Sequence, residues 1–347
     1  MQKEVEYLII GQGLAGSLLA LHLMEKNISF HIYDPSILNS STMIAAGIIN
    51  PLVLKRLTLS WKAKDYINYN NIFYPKIEKI MKQRFYYPLP LHKLINSDDE
   101  KYFWNHRFKK PKISSFLKKE FIKVSEKLYP TNNYEVGVVK ETAWLDTQIF
   151  LQSFRKRLKI EENVTEKKIN YNQLQNNCYE NIKFKKLVFC EGAHGINNPY
   201  LKDLKLIGNK GNLITIQSDE FFSNEIIVKK VFILPIGNKK YKIGATYDIN
   251  YQNEEADENQ KELLKSQFEE ITTANYKIVN HQAGIRPTVE DRRPLLGKIK
   301  GQNNYFVLNG LGSRGCLMAP LLTKELIDFI EYNKPITPEC DIERFYS

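Results

Sequence analysis

The apolar pattern opens with a short run, Tyr7-Leu-Ile-Ile10, of the length and composition that forms a buried parallel strand. Leu14, Leu18 and Leu21 then recur at helical spacing. Leu19 and Leu23 widen the same stripe, so the stretch through Lys26 reads as a helix packed on a sheet and ended by Asn27. Ile28-Ser-Phe-His-Ile-Tyr33 predicts a second strand, with Asp34 at its carboxyl end. Between 60 and 85, Trp61, Ile67, Ile72, Ile77 and Ile80 with Lys and Asn between them predict a long surface helix. Residues 86–137 are aromatic-rich and irregular, with strand-like pieces at 89–95. Asp146 or Thr147 caps a predicted helix through Leu158, and Lys186–Cys190 reads as another buried strand.

From Lys205 to about His281 the pattern turns β-rich. Strands are predicted at 211–217, 228–234 and 241–244, and a charged helix between Asn253 and Tyr276. The last segment returns to the opening grammar: strand Tyr305–Leu308, loop Asn309-Gly-Leu-Gly312, and a helix to about Tyr332. There is no internal repeat and no low-complexity linker.

The loop between the first strand and helix is Gly11-Gln-Gly13-Leu14-Ala15-Gly16, and Asp34 follows eighteen residues after Gly16. Gly11 suits a tight turn, Gly13 lets a pyrophosphate approach the backbone, and Gly16 allows close helix–strand packing. The helix N-terminus stabilises phosphate charge, and Asp34 can accept hydrogen bonds from ribose hydroxyls. A dinucleotide is expected here. The motif does not separate NAD from FAD, and an acid after the second strand disfavours NADP.

A chain of 347 residues suggests two domains or one interleaved one, at about 100–200 residues per domain. No run approaches the roughly 18 apolar residues of a membrane helix. The net charge of +11, from 50 basic and 39 acidic residues, raises the question of a polyanionic partner. Only 10 of those 50 are Arg, the residue that clamps phosphates bidentately, so a solvated Lys-rich surface is the simpler reading. Cys178, Cys190, Cys316 and Cys340 form no metal-ligand spacing, and residues 1–11 lack the pattern of a signal peptide. A reducing cytoplasm is the expected compartment. No Ser-His-Asp or Cys-His arrangement and no P-loop is visible.

With Ala45-Ala46-Gly47-Ile-Ile-Asn-Pro51, Phe189-Cys-Glu-Gly192-Ala-His-Gly195, Lys210-Gly211, Ile243-Gly-Ala-Thr246, Ala283-Gly-Ile-Arg286-Pro-Thr, Asp291-Arg-Arg-Pro-Leu-Leu-Gly297 and Asn309-Gly-Leu-Gly-Ser-Arg-Gly315, the chain resembles the FAD-dependent amine oxidoreductases of the D-amino-acid oxidase superfamily. The likeness extends to the glycine oxidase branch and to the flavin domain of the tRNA wobble-uridine modification enzyme. It implies an α/β fold: an interrupted, Rossmann-like FAD-binding domain (1–85, 138–204 and 283–347) and an antiparallel β-rich substrate domain (86–137 and 205–282).

The resemblance assigns FAD as cofactor and Arg286 as the clamp for a substrate carboxylate, with Tyr247 lining the entrance. Gly11, Gly13, Leu14, Ala15, Gly16, Asp34 and Gly192 would hold the dinucleotide, and Ala45, Ala46 and Gly47 would wall the isoalloxazine. Gly312, Ser313, Arg314, Gly315 and Cys316 would face its pyrimidine end through backbone amides. Cys316 is expected as a packed thiol, and Arg292, Arg293 and His194 as loop residues. The implied reaction is oxidation of a small primary or secondary amine, an amino acid first among the candidates, by hydride transfer to flavin N5, with no acid/base side chain. The electron acceptor is oxygen or another oxidant. The alternative is a flavoenzyme acting on a carboxymethylaminomethyl-modified tRNA uridine, for which the basic surface is the compositional support. A flavin-binding redox partner without amine turnover is the third reading.

Overall fold

The computed structural model describes residues 2–36, 38, 40–123 and 134–346. Strand β1 (Lys3–Ile10), helix α1 (Leu14–Glu25) and strand β2 (Phe30–Tyr33) form the opening unit. Asn27 ends the helix by taking a left-handed φ of 55°. The Ile28 N–H bonds to the Leu23 carbonyl and the Asn27 N–H to that of Met24, the crossed pair of a Schellman turn.

β1 lies inside a seven-stranded sheet. β2 pairs with one side of it and Ile182–Phe189 with the other, and Tyr305–Asn309 lies beyond Ile182–Phe189, all in parallel. The strands expected near 7, 29, 187 and 305 are thus consecutive neighbours. Val164–Thr165 extends the sheet past β2, while Leu295–Lys298 and Cys178–Tyr179 add antiparallel edges. Tyr7 and Ile9 pack among α1, Thr147–Ile160 and Gly315–Tyr332, while Leu8 and Ile10 pack with Ile169, Leu201 and Tyr305. Cover on both faces is the reason these strands read as unbroken apolar runs.

A second sheet has eight strands, in the order Lys277–Val289, Leu206–Gln217, Lys240–Gly244, Phe232–Pro235, Ile226–Val228, Leu91–Ile95, Glu135–Val139 and Ile122–Lys123. Its pairs are antiparallel except Ile226–Val228 with Leu91–Ile95. Ile214, Ile216, Tyr241 and Ile243 fill one face under Leu264 and Phe268 of helix Glu258–Glu269. The other face of its first strands is left to the functional site. Farther along, Trp104 of helix Asp98–Phe108 is fully buried against Gly137, where a Cβ would come within 2.7 Å of the indole. No helix among the described residues is long and apolar enough to cross a membrane.

Several expected elements change. The single strand expected at 228–234 is a hairpin, Ile226–Val228 against Phe232–Pro235, because the two apolar runs are parted only by Lys229 and Lys230, where the chain turns. Within the irregular stretch 86–137, Asp98–Phe108 is a helix without an apolar stripe. Its signals are end signals: Ser97 as cap, Asp98, Asp99 and Glu100 in the first turn, His106 and Arg107 in the last. The 60–85 helix, Ala63–Met81, buries Tyr66, Ile67, Asn70, Phe73, Tyr74 and Ile77, so it is packed on one side, while Ile72 and Ile80 face solvent. The charged helix shrinks to Glu258–Glu269 with Asp257 as cap. The expected divisions at 137/138 and 282/283 fall inside strands Glu135–Val139 and Lys277–Val289, and 124–133 of the second block lie outside the described residues.

Two outcomes follow from this packing. Gly137→Ala should cost about 1–3 kcal/mol through overpacking on Trp104, measured as a lower urea midpoint. His22 is buried on α1, its Nδ1 2.8 Å from the Leu18 carbonyl and its Nε2 2.9 Å from the Tyr69 hydroxyl. Burial pushes its pKa from 6.5 down to about 4, so the fold holds neutral imidazole while the unfolded chain takes a proton near the higher value. Its contribution is complete above the unfolded pKa and is lost as pH falls through that window. The midpoint of His22→Leu should therefore drop less than that of the parent between about pH 7 and about pH 4. Equal drops would mean that His22 protonates within the fold.

Candidate active site

The carboxyl ends of β1, β2 and Ile182–Phe189 converge on the glycine loop. The Gly11 N–H bonds to the Tyr33 carbonyl at 2.9 Å and the Cys190 N–H to that of Ile10 at 2.7 Å. Gly11 has a φ of +102°, and a Cβ on it would lie 2.5 Å from the Cys190 carbonyl oxygen. A Cβ on Gly16 would lie 1.9 Å from the Gly11 oxygen. These two glycines are glycines because backbone meets backbone. Gly13 differs: the one atom near its Cβ position is Thr42 Oγ1 at 3.6 Å. Leu14 bonds to that same hydroxyl, and the N–H groups of Ala15 and Gly16 have no acceptor among the described residues. Open space above unpaired amides at a helix N-terminus fits a diphosphate. Gly192, at φ +56°, likewise faces open space.

Asp34 is buried at the end of β2. One carboxylate oxygen accepts the Gln12 N–H at 2.8 Å and the other pairs with Arg155 of helix Thr147–Ile160. Each oxygen keeps a further lone pair for a ribose hydroxyl. Sequence reading missed Arg155, which lies 121 residues from Asp34. Among the described residues two buried groups beside this loop lack partners, Gln12 Oε1 and Arg155 Nε, as expected of a site completed by a polar ligand.

The short helix Ser41–Ile44 joins this loop to the second sheet: Thr42 touches Leu14, and Ile44 lies 3.4 Å from the Cβ position of Gly284. Gly47, at φ +77°, owes its identity to the Leu145 carbonyl, 1.9 Å from where a Cβ would stand. The Ala45 carbonyl accepts from Thr147 Oγ1 and from Lys242 Nζ, both at 3.3 Å. Lys242, absent from the sequence expectations, is buried, and desolvation lowers its pKa against the pull of Asp146.

Strand register places Lys242 opposite Thr215, Gly284 opposite Gly211 and Arg286 opposite Asn209. All six therefore share one sheet face, with Leu213 and Gln282. No Asp, Glu or His stands among them. The Arg286 guanidinium reaches across Gly211, where a Cβ would fall 2.1 Å from Nη2. It donates to the Thr246 carbonyl at 3.2 Å and to Asn209 at 3.3 Å, and lies 4.4 Å from the centre of the Tyr247 ring. No carboxylate pairs with it among the described residues. Next on the strand, Thr288 lies 3.6 Å from the Cβ position of Gly312. Arg286 thus stands between Ser41–Ile44 and the Gly312–Arg314 turn.

That turn opens helix Gly315–Tyr332. The Arg314 side chain points away into the fold, bonding Asn50, Leu52 and Ser60, so what the turn presents is backbone, with Ser313 between. Burial pushes the Cys316 thiol up to about 12, and its carbonyl accepts from Tyr74 at 2.9 Å, which makes it packing rather than a nucleophile. His194 is exposed, and Arg293 lies over Trp61. Glu191, also unforeseen, is half-buried beside Gly11 and held by Tyr171 and Asn198 at 2.6 Å each; desolvation raises its pKa.

The family model described as FAD dependent oxidoreductase matches residues 6–329. The tRNA 5-methylaminomethyl-2-thiouridine biosynthesis bifunctional protein of Leptospira interrogans is 22% identical over 400 residues, covering 96% of this chain and 58% of its own length. The chain thus spans little more than half of that relative. A glycine oxidase of Pseudomonas aeruginosa is 24% identical over 160 residues, covering 45% of this chain and 44% of its own. The crystal structure of glycine oxidase from Geobacillus kaustophilus superposes with a TM-score of 0.80 at 14% identity, over 99% of this chain and 98% of that one. The shared fold is a Rossmann-like FAD-binding domain with a β-rich substrate domain. The chain belongs to the FAD-dependent oxidoreductases of the D-amino-acid oxidase superfamily, and its cofactor is FAD.

Proposed function

We propose that the protein oxidises a carboxylate-bearing amine, an amino acid or N-substituted amino acid. One observation carries this reading: among the described residues Arg286 is a guanidinium without a carboxylate partner, on a strand face without carboxylates, between the Ser41–Ile44 helix and the Gly312 turn. Its planar fork suits bidentate capture of a carboxylate. Asn209 and the Thr246 carbonyl hold it from one side and Tyr247 covers one ring face, which restricts its rotamers before substrate arrives. Leu213 and Phe232 supply apolar surface toward the buried end of the face.

When bound, FAD supplies the two-electron acceptor for the hydride of the carbon beside nitrogen. The residues of the chain bind and orient. With no carboxylate or imidazole on the sheet face, the amine gives its proton to water, and the Gly312–Gly315 backbone brings a helix N-terminus to the site where negative charge gathers. We keep the segment division 1–85, 138–204 and 283–347 against 86–137 and 205–282 as part of this proposal. A second reading, action on a carboxymethylaminomethyl group of a tRNA uridine, is supported by the relative that covers 96% of this chain and by the net charge of +11.

The holoenzyme should bleach anaerobically with at least one member of a panel of amino acids and N-alkyl glycines, followed at the flavin absorbance band. Arg286→Ala should lower kcat/KM by about 30-fold to several thousand-fold, the loss of about 2–5 kcal/mol of pairing to a desolvated charge. Unchanged kcat/KM removes Arg286 from the site. For the tRNA reading, a gel shift that weakens steeply with salt is expected, because each phosphate contact releases counterions.

A further inference from the structure

We propose that the protein docks on anionic lipid headgroups through a basic surface, built from the hairpin of Leu52–Val53 with Thr58–Leu59 and the short helix Pro111–Ser114. The sequence holds two long stretches without a carboxylate, 35–64 and 101–119. They are remote along the chain, and the fold joins them. Helix Pro111–Ser114 packs against Thr58–Leu59, and Ile113 and Phe116 share one apolar cluster with Leu52 and Leu57. The hairpin tip displays Lys55 and Arg56, and the helix with its approach displays Lys109, Lys110 and Lys112, all of them exposed. Lys118 and Lys119 carry the surface further along the chain.

Elsewhere on the protein carboxylates answer such cations, as Glu25 does Lys76 at 2.8 Å and Glu270 does Lys230 at 2.7 Å. Even Lys101, at the start of the second stretch, pairs with Glu135 at 3.1 Å. From Arg107 to Lys119, and at the hairpin tip, no ion pair forms among the described residues. A surface of one sign with nothing to neutralise it is repelled by itself and favours an anionic partner.

The side chains say which anion. Arg107 lies over Phe103, 5.1 Å from the ring centre, so Arg56 is the open guanidinium fork and the rest are lysines. Lysines are point charges on flexible stems, and no hydrogen bond fixes these in place. Phe108 and Phe121 are half-buried and Phe103 is covered, which leaves no free ring face for a base. A nucleic acid or a folded acidic partner is met by fixed forks and stacking platforms. A fluid headgroup layer needs neither. It attracts lysines without fixed geometry and receives apolar side chains between them, here Leu54 and Phe108, both half-buried. Arg314 donates to the Asn50 and Leu52 carbonyls, so the docking hairpin is tied directly to the Gly312–Arg314 turn.

The test sediments the holoprotein with vesicles of phosphatidylcholine, with and without phosphatidylglycerol. Binding to the anionic vesicles alone is expected, and it should weaken as salt rises, because the surface potential dies away within a Debye length. Each cation near the headgroups strengthens partition about fivefold, so Lys109→Glu, Lys110→Glu and Lys112→Glu together should weaken it by roughly 100-fold or more. Lys55→Glu with Arg56→Glu disrupts the surface from the hairpin alone and should weaken it by roughly 25-fold. The control is Lys202→Glu with Lys240→Glu and Lys298→Glu, three exposed lysines outside the surface, which should weaken it by less than about tenfold. All of these variants should keep bound flavin and the parent unfolding midpoint, since the side chains are exposed. A parent that stays in the supernatant with both lipids overturns the inference. So does equal loss in the two triple variants, which would make net charge, and not this surface, the cause. Duplex RNA and polyglutamate are tested for binding beside the vesicles. If either binds at a salt concentration that releases the vesicles, and loses binding in the Lys109–Lys112 triple, the surface belongs to nucleic acid or to an acidic protein and the lipid assignment falls. No arm reads amine turnover, so each outcome leaves the proposed reaction to its own test.

Discussion

The contact between the start of α1 and the end of β1 governs everything built around it. The Gly16 backbone lies so close to the Gly11 carbonyl that a single methyl group would occupy the oxygen's position. That approach aims the first turn of α1 at open space above Gly13 and leaves the amides of Ala15 and Gly16 without protein partners. Unpaired amides at the end of an aligned helix carry a partial positive charge that only an anion or water can satisfy. Asp34, tied to the Gln12 amide and to Arg155, locks the other end of the same loop. The opening that fits a diphosphate is thus set by backbone packing, before any side chain enters.

The substrate side depends on a second use of glycine. Gly211 has no Cβ, so the Arg286 guanidinium can lie across its strand and meet Tyr247 from the far side. The strand that carries Arg286 also touches Ile44 through Gly284 and the Gly312 turn through Thr288. One strand of the second sheet therefore spans both flanks of the cofactor position. Its pairing with Leu206–Gln217 translates strand register directly into the spacing between Arg286 and the glycine loop.

The glycine loop, Asp34 and the four parallel strands were legible in the sequence because each depends on contacts within a short stretch, or on burial of both faces. The same holds for the Asp146 cap and the Asn27 terminus. Elements whose signals sit only at their ends were hidden. The Asp98–Phe108 helix has no stripe, and the two apolar runs of the 226–235 hairpin are parted only by Lys229 and Lys230. Among site residues, Arg286, Tyr247 and the Gly312 turn came from motif resemblance. Arg155 and Lys242 were invisible because their partners lie far away in sequence, and an isolated charge in a helix or strand looks like surface.

By itself, then, the chain determined the strand, glycine loop and helix expected of a dinucleotide site, and that a β-rich insertion follows a nucleotide-binding grammar which resumes at the end. Local backbone requirements, such as a left-handed Gly or a helix start after a buried strand, are written residue by residue and survive without knowledge of the rest. Only the tertiary structure decided which cations face the cofactor and which face solvent. Of 50 basic residues, the fold buries Lys242 and half-buries Arg286 on one sheet face that carries no carboxylate, and pairs Arg155 with Asp34. Burial and register confer these roles, and neither exists until distant strands have paired.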